Sequence, residues 1–544
     1  MEESELFKDK IKLLKNDEEA NNNMFNLRIE NKLSLRKKTI NNILYNKRIL
    51  GINSSDNNNT LKFKLKYDHT NIKFGLDELN NKYKLDFNDN EDELIITLAS
   101  KYLKSENIND IKYGIFLTQK FIKRNIYNDL TDYINLLFIY ELLHIIDKIN
   151  EDKEIIFNIL DIIVSYSFIN SDINLSTILL SPNSYKIWEI CFNLQNFEIF
   201  YALICIFNNI IQNNQIGSCN LIRSNFLQNN IFNFYLNESI FSKKDNEDKS
   251  DIFFHIIKDG ITLFCNLLLV STNNLDVVTK EEVALAKQKI INILIFYSNS
   301  NNYENHYKCI YTISLALEEG SITVEHIDKN NFIENILINK KFFDEKDLLF
   351  FLTKIFGNYI AYKLIIQNNV IVEIINFEAN YMKICHDSSK RKYIFWTLSN
   401  ILISTNKNYE KIFEIDGLLI QIFECLKNSY SFSELKEILY FFGVLLSFVN
   451  IKYFLEIEKN HLMDILLYLC KNKFENRVDL LNLCFQIFEI YLKFGKLLSE
   501  NFQGRNLIKE KFDKLGGNDL LQKYINYPEE SLVKEINNIY QNYY

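Results

Sequence analysis

Trp396 and Asn400 stand four residues apart in "YIFWTLSN", residues 393–400, and Trp396 is one of only two tryptophans in 544 residues. On a helix, positions i and i+4 share a face. An indole there packs the aliphatic stem of a Lys or Arg and attracts its cationic head. A carboxamide beside it offers a donor and an acceptor to the backbone of an extended chain. The chemistry is that of holding a basic, extended peptide.

Weaker echoes of the stretch occur in "CIFNN" (205–209), "TLFCN" (262–266), "YTISL" (311–315), "YFFGV" (440–444), "DIIVS" (161–165) and "FFLTK" (350–354). Their last positions are 165, 209, 266, 315, 354, 400 and 444, at intervals of 44, 57, 49, 39, 46 and 44. Armadillo and HEAT repeats run about 40–47 residues. The charged stretch "SKKDNEDKSD" (242–251) reads as an insertion inside the long interval. One such repeat cannot bury its own apolar face. Stacking buries it and builds a groove, along which a residue recurring once per repeat forms a ladder.

The elements that must carry this ladder are helices. Pro182 and Pro528 are the only prolines, and only 13 glycines are present, so residues that break helices are scarce. Hydrophobic residues make up 47% of the chain, enough for a large core. From about residue 92 apolar residues recur at helical spacing almost to the end. The net charge of −8 argues against nucleic acid as a partner of the whole chain. No apolar run of about 18 residues is present, so no membrane span is expected. Nine cysteines without a CxxC pair, and no signal peptide, suggest free core thiols in a reducing compartment. Residues 28–48 are basic, holding Arg28, Lys32, Arg36, Lys37, Lys38, Lys47 and Arg48 against Glu30, and a polar linker follows. The division expected is an N-terminal arm over 1–52, a linker over 53–90, and over 91–544 an all-α, right-handed superhelical armadillo solenoid of about ten repeats.

Four stretches together resemble the importin-alpha (karyopherin alpha) family of nuclear import adaptors. "KRKYIFWTLSNILISTNKNYEKIFEIDGLLIQIFECL" (390–426) is similar to that family's seventh armadillo repeat, and "LGGNDLLQKYINYPEESLVKEINNIYQNYY" (515–544) to its last. "TQKFIKR" (118–124) resembles part of the first repeat, and "SLRKKTINNILYNKR" (34–48) the importin-beta-binding segment, placed at about 22–50. The resemblance implies an adaptor that shuttles between cytoplasm and nucleus. Its groove would bind nuclear localisation signals on cargo proteins, an export receptor would return it, and no cofactor, metal or catalytic residue would be involved. Carried over, Trp396, Asn400, Glu437, Tyr440, Asn209 and Asn266 would bind the signal peptide. Arg28, Leu35, Arg36, Lys37, Lys38, Leu44, Lys47 and Arg48 would bind importin-beta.

The chain departs from the family where its main groove lies. The Trp slots there read Asp161, Cys205 and Thr262, and the Asn slots Ser165, Asn209 and Asn266. Asn213 stands where an acidic partner for a signal lysine is usual, Lys354 occupies the sixth Asn slot, and Val444 the eighth. Trp396 and Asn400 form the one fully retained rung, so a basic signal is expected to sit near Trp396. The resemblance also implies that the arm competes for the groove when importin-beta is absent; the "NKR" cluster (46–48) is thinner than the family's, so this self-inhibition is expected to be weak.

Each feature has a structural alternative. Trp396 reads also as a core aromatic, Asn209 and Asn266 as incidental in an Asn-rich chain, Glu437 as a surface charge, and 28–48 as a solvated basic helix. Trp188 lies off the ladder register and is expected in the core, and Cys385–His386 lacks a second pair at zinc spacing. No P-loop, GxSxG or HExxH is present. The rival functions are an armadillo scaffold whose groove has drifted to other ligands and a HEAT-type transport receptor.

Overall fold

A computed structural model of the protein describes residues 92–544, except 125–133, 170–172, 212–214, 237–246, 271–275, 300–301, 340–342, 344, 364–365, 405–408 and 500–503. The arm with Arg28, Leu35, Arg36, Lys37, Lys38, Leu44, Lys47 and Arg48, the linker over 53–90, and Asn213 lie outside the described residues.

Among the described residues every regular element is a helix. With prolines and glycines scarce, asparagine supplies many of the helix starts. The side chains of Asn135, Asn196, Asn302, Asn450 and Asn506 each accept a backbone N–H in the first turn of the helix that follows. An N-cap of this kind contributes about 1 kcal/mol relative to alanine.

The described residues fall into two compact units, 92–322 and 323–544. In the first, five helices pack one against the next: α1 (Ile108–Arg124), α2 (Lys153–Ile169), α3 (Phe197–Ile210), α4 (Glu247–Leu268) and α5 (Tyr303–Glu319). In the second, the same arrangement runs through α6 (Lys346–Tyr362), α7 (Ser388–Ser404), α8 (Phe432–Phe448), α9 (Val478–Ser499) and α10 (Glu530–Tyr543). Other helices between them, among them Val277–Ser298 and Asn368–Ile384, pack against this row. This is an all-α armadillo-type solenoid, each repeat contributing one ladder helix. Positions 165, 209, 266 and 315 fall on α2 to α5, and 354, 400 and 444 on α6 to α8. The charged stretch 242–251 ends inside a helix, since α4 begins at Glu247.

The core is aliphatic and aromatic. α3 buries Ile199, Leu203, Ile206, Phe207 and Ile210 at helical spacing. Trp188 is fully buried and its indole N–H donates to the Leu179 carbonyl at 3.0 Å. Seven cysteines are buried and Cys205 and Cys425 half-buried, all with free thiols.

One buried charge interrupts this core. Lys287, in the helix Val277–Ser298, is 3% exposed, and its ammonium donates to the Val270 carbonyl at 2.7 Å. Burial pushes its pKa down to about 8. A cation whose pKa falls on folding costs stability below the folded value, and the cost disappears as pH rises toward the unfolded value of about 10.4. Lys287→Met is therefore expected to stabilise the protein at pH 7 by about 1–2 kcal/mol, the lost hydrogen bond offsetting part of the gain. Thermal melts of both proteins check this: the difference should be nearly constant below about pH 8 and narrow from there toward about pH 10.4.

Candidate functional site

The ladder helices pack side by side through side chains that cross from one helix to the next. In the 323–544 unit, Asn400 on α7 donates its carboxamide N–H to the Gly357 carbonyl of α6 at 2.9 Å, and Thr397 donates to the Thr353 carbonyl at 3.1 Å. Asn400 is only 5% exposed. Trp396 is half-buried and lies against Gly357, so close that a β-carbon there would come within 2.1 Å of the indole. These contacts fix the register of α6. Its Asn position is Asn358, next to Gly357, and Lys354 stands level with Trp396 rather than with Asn400. The shorter motif "FFLTK" had placed Lys354 one turn too early, because no aromatic marks the Trp slot of this repeat.

The surroundings of Trp396 are basic. The Lys354 ammonium lies 5.4 Å from the ring centres of both Phe350 and Tyr393. Lys390 is 5.8 Å from Phe350, and Lys392 is 5.1 Å from Tyr393. Tyr393 meets Trp396 edge to face at 6.3 Å. On α8, Glu437 and Tyr440 are half-buried and Val444 is buried. Behind the rung, Glu378 is fully buried and accepts from the Thr353 hydroxyl at 3.1 Å. Burial holds its carboxyl well above the usual carboxylate range.

In the 92–322 unit, Asn209 is half-buried and donates to the Ser167 hydroxyl at 3.0 Å and to the Val164 carbonyl at 3.3 Å, both on α2. Asn208 donates to the Asp259 carbonyl of α4 at 2.9 Å. Gln119 joins α1 to α2 through Asn158 at 3.1 Å and Asp161 at 3.3 Å. Asn266 differs. It is half-buried on α4, and its carboxamide has no hydrogen-bond partner among the described residues.

Beside Asn266 runs a feature the motif reading missed. Tyr303, Tyr307 and Tyr311 repeat at i, i+4 and i+8 along α5. Tyr303 is 46% exposed, and Tyr307 and Tyr311 are half-buried. Successive ring centres are 6.3 Å apart, and the planes of Tyr307 and Tyr311 lie 2° from parallel. Burial raises the Tyr311 phenol pKa, and the charges of Glu319 and Glu318 add to the rise. The Cys265 thiol, next to Asn266 in the chain, meets the Lys308 carbonyl at 3.8 Å, so α4 packs on α5 at this level. The i, i+4 spacing of the tyrosines is legible in the sequence, but the motif "YTISL" takes in only the last of them.

Sequence comparison finds no matching protein-family model and no matching curated protein. Solved structures do match. An engineered protein from the Northeast Structural Genomics Consortium aligns with a TM-score of 0.54 at 12% identity, over 83% of this chain and 98% of that one. A structure from work on a phosphorylation switch that controls the interaction between cadherin and beta-catenin aligns with a TM-score of 0.50 at 10% identity, over 74% and 70%. A designed armadillo repeat protein in complex with the peptide (KR)4 aligns at a TM-score of 0.36 and 14% identity, over 46% and 98%. At these identities the likeness concerns the fold.

Proposed function

We propose that the protein is a nuclear import adaptor of the importin-alpha type, working by binding and without catalysis. The 92–322 ladder holds an extended basic signal, the arm at 28–48 engages importin-beta, and an export receptor returns the adaptor from nucleus to cytoplasm. The observation that carries the reading is the Tyr303, Tyr307 and Tyr311 stripe on α5, packed against the helix that bears Asn266. A half-buried carboxamide can pair with a peptide backbone. Tyrosine faces take Lys or Arg stems and their charges, at about 0.5–2 kcal/mol each. Glu304 already neutralises part of the charge of Lys258 and Lys308. Asn209 and Asn400 contribute less than their spacing implies, because each already gives an N–H to a neighbouring helix.

Titration with a simple basic signal peptide tests this. Binding is expected to weaken about tenfold, roughly 1.4 kcal/mol, in Tyr311→Ala and in Asn266→Ala. Substitution of Arg36, Lys37 and Lys38 by Glu should abolish co-purification with importin-beta while leaving peptide binding in place. No binding to any basic peptide would refute the adaptor and leave an armadillo scaffold for other ligands.

A further inference from the structure

We propose that the ladder face around Trp396 takes an extended acidic polypeptide segment. The proposal concerns a second site, of opposite charge to the one read on the 92–322 ladder, and does not rest on that reading.

A cationic side chain arriving here finds the aromatic faces already covered. Lys354 lies over Phe350 and Tyr393, Lys390 over Phe350, and Lys392 over Tyr393, all at 5.1–5.8 Å. It would therefore meet the like charge of three lysines, with Phe350 and Tyr393 already taken. For an anionic segment the same arrangement is favourable. Lys390 and Lys392 are half-buried and belong to no ion pair among the described residues, although Asp387 lies close enough to Lys390 to feel its charge. Arg391 between them is spent on Glu434. Lys354 is only 7% exposed, so its charge acts through a medium less polar than water. The half-buried Trp396 indole and the Tyr393 edge supply apolar contact beside these charges. Side chains of an extended chain alternate in direction, so a segment alternating acidic and apolar residues presents both chemistries at once. The Asn rungs are poorly placed for backbone recognition: Asn400 and Asn358 are buried, at 5% and 3% exposure, and donate to the Gly357 and Lys354 carbonyls at 2.9 Å. Charge and aromatic contact carry the selectivity instead. Lysines among aromatics also suit single-stranded nucleic acid. The net charge of −8 and the confinement of the patch to α6 and α7 favour the polypeptide.

The intact protein supplies its own reporter. Trp188 is fully buried, so a ligand-induced change in tryptophan emission reports on half-buried Trp396. A peptide of alternating Glu and Leu is expected to shift that emission, with affinity falling as salt rises. Lys390→Glu with Lys392→Glu should weaken binding at least tenfold, and Lys390→Gln with Lys392→Gln by an intermediate factor, with unchanged circular dichroism. Trp396→Phe should remove the signal. The proposal is overturned if the acidic peptide does not bind, or if its binding ignores the lysine substitutions. It is equally overturned if alternating Lys and Leu binds at Trp396 at least as tightly, or if oligothymidine binds more tightly than the acidic peptide.

Discussion

Glu434→Ala is expected to destabilise the 323–544 unit by about 3–5 kcal/mol, the range found when one member of a buried ion pair is removed. The Glu434 side chain is fully buried at the start of α8. Its carboxylate accepts from the Arg391 Nε at 2.5 Å and from a terminal guanidinium nitrogen at 3.1 Å, a two-pronged pair between α7 and α8. The Ser429 hydroxyl donates to the same carboxylate at 2.5 Å. The hydrogen bond that Arg391 donates to Glu434, more than any other influence, holds the Arg391 pKa above its usual value. Alanine would leave Arg391, whose side chain is 18% exposed, with a single long bond to the Cys385 carbonyl at 3.4 Å. Glu434→Gln keeps hydrogen bonds and should cost less. Glu434→Met with Arg391→Met should recover most of the loss, since a buried pair gains little over apolar residues of similar volume. Denaturant unfolding, with hydrogen exchange in α7 and α8 as the local readout, measures each. A Glu434→Ala loss under 1 kcal/mol would contradict this account.

Gly357→Ala is expected to destabilise by about 2 kcal/mol, against the usual rule. Within a helix, replacing glycine by alanine ordinarily gains about 0.5–1 kcal/mol. At Gly357 the new methyl would lie 2.1 Å from one indole carbon of Trp396 and 2.6 Å from the Thr397 hydroxyl. Relieving such overpacking costs about 1–3 kcal/mol or more. The indole must swing outward, carrying with it the bonds of Asn400 and Thr397 to α6. Gly443, inside α8, is the matched control: a β-carbon there meets only Ile487, at 3.8 Å, so Gly443→Ala should be neutral or stabilising. Thermal melts of the two variants should differ in sign, and the emission of Trp396 should move to longer wavelength in Gly357→Ala alone.

Gly357 also marks how far the sequence could be read. Its helix was legible, because apolar spacing and the scarcity of proline constrain the local backbone. The recurrence of one motif at about 44 residues located the ladder helices, since each repeat must present the same face to its neighbours. What the motif could not convey was the partner of each rung. Four-residue spacing sets Trp396 and Asn400 on one face, but the carbonyl that takes the Asn400 N–H lies 43 residues earlier, on another helix. A carboxamide that reads as available to a ligand is thus already engaged. Lys354 stands out in the sequence as a charge on the ladder, but its meeting with Lys392 over Tyr393 arises only when two repeats stack. Asn266 and Tyr311 likewise lie on different helices, so no single stretch of sequence contains that site.

The bonds that tie Asn400 and Thr397 to α6 bear on how the ladder can move. Packed helices commonly adjust by shear, sliding along one another by an ångström or two. Here each slide would tear a side chain from a specific carbonyl and set it opposite the next, about 1.5 Å further along the helix. Axial slippage of α7 on α6 is therefore blocked at two points, while a tilt about the line joining them is not. Adjustment between these two repeats is thus confined to a hinge whose pin is the Gly357–Asn400 contact, and a ligand seated on Trp396 sits directly over it.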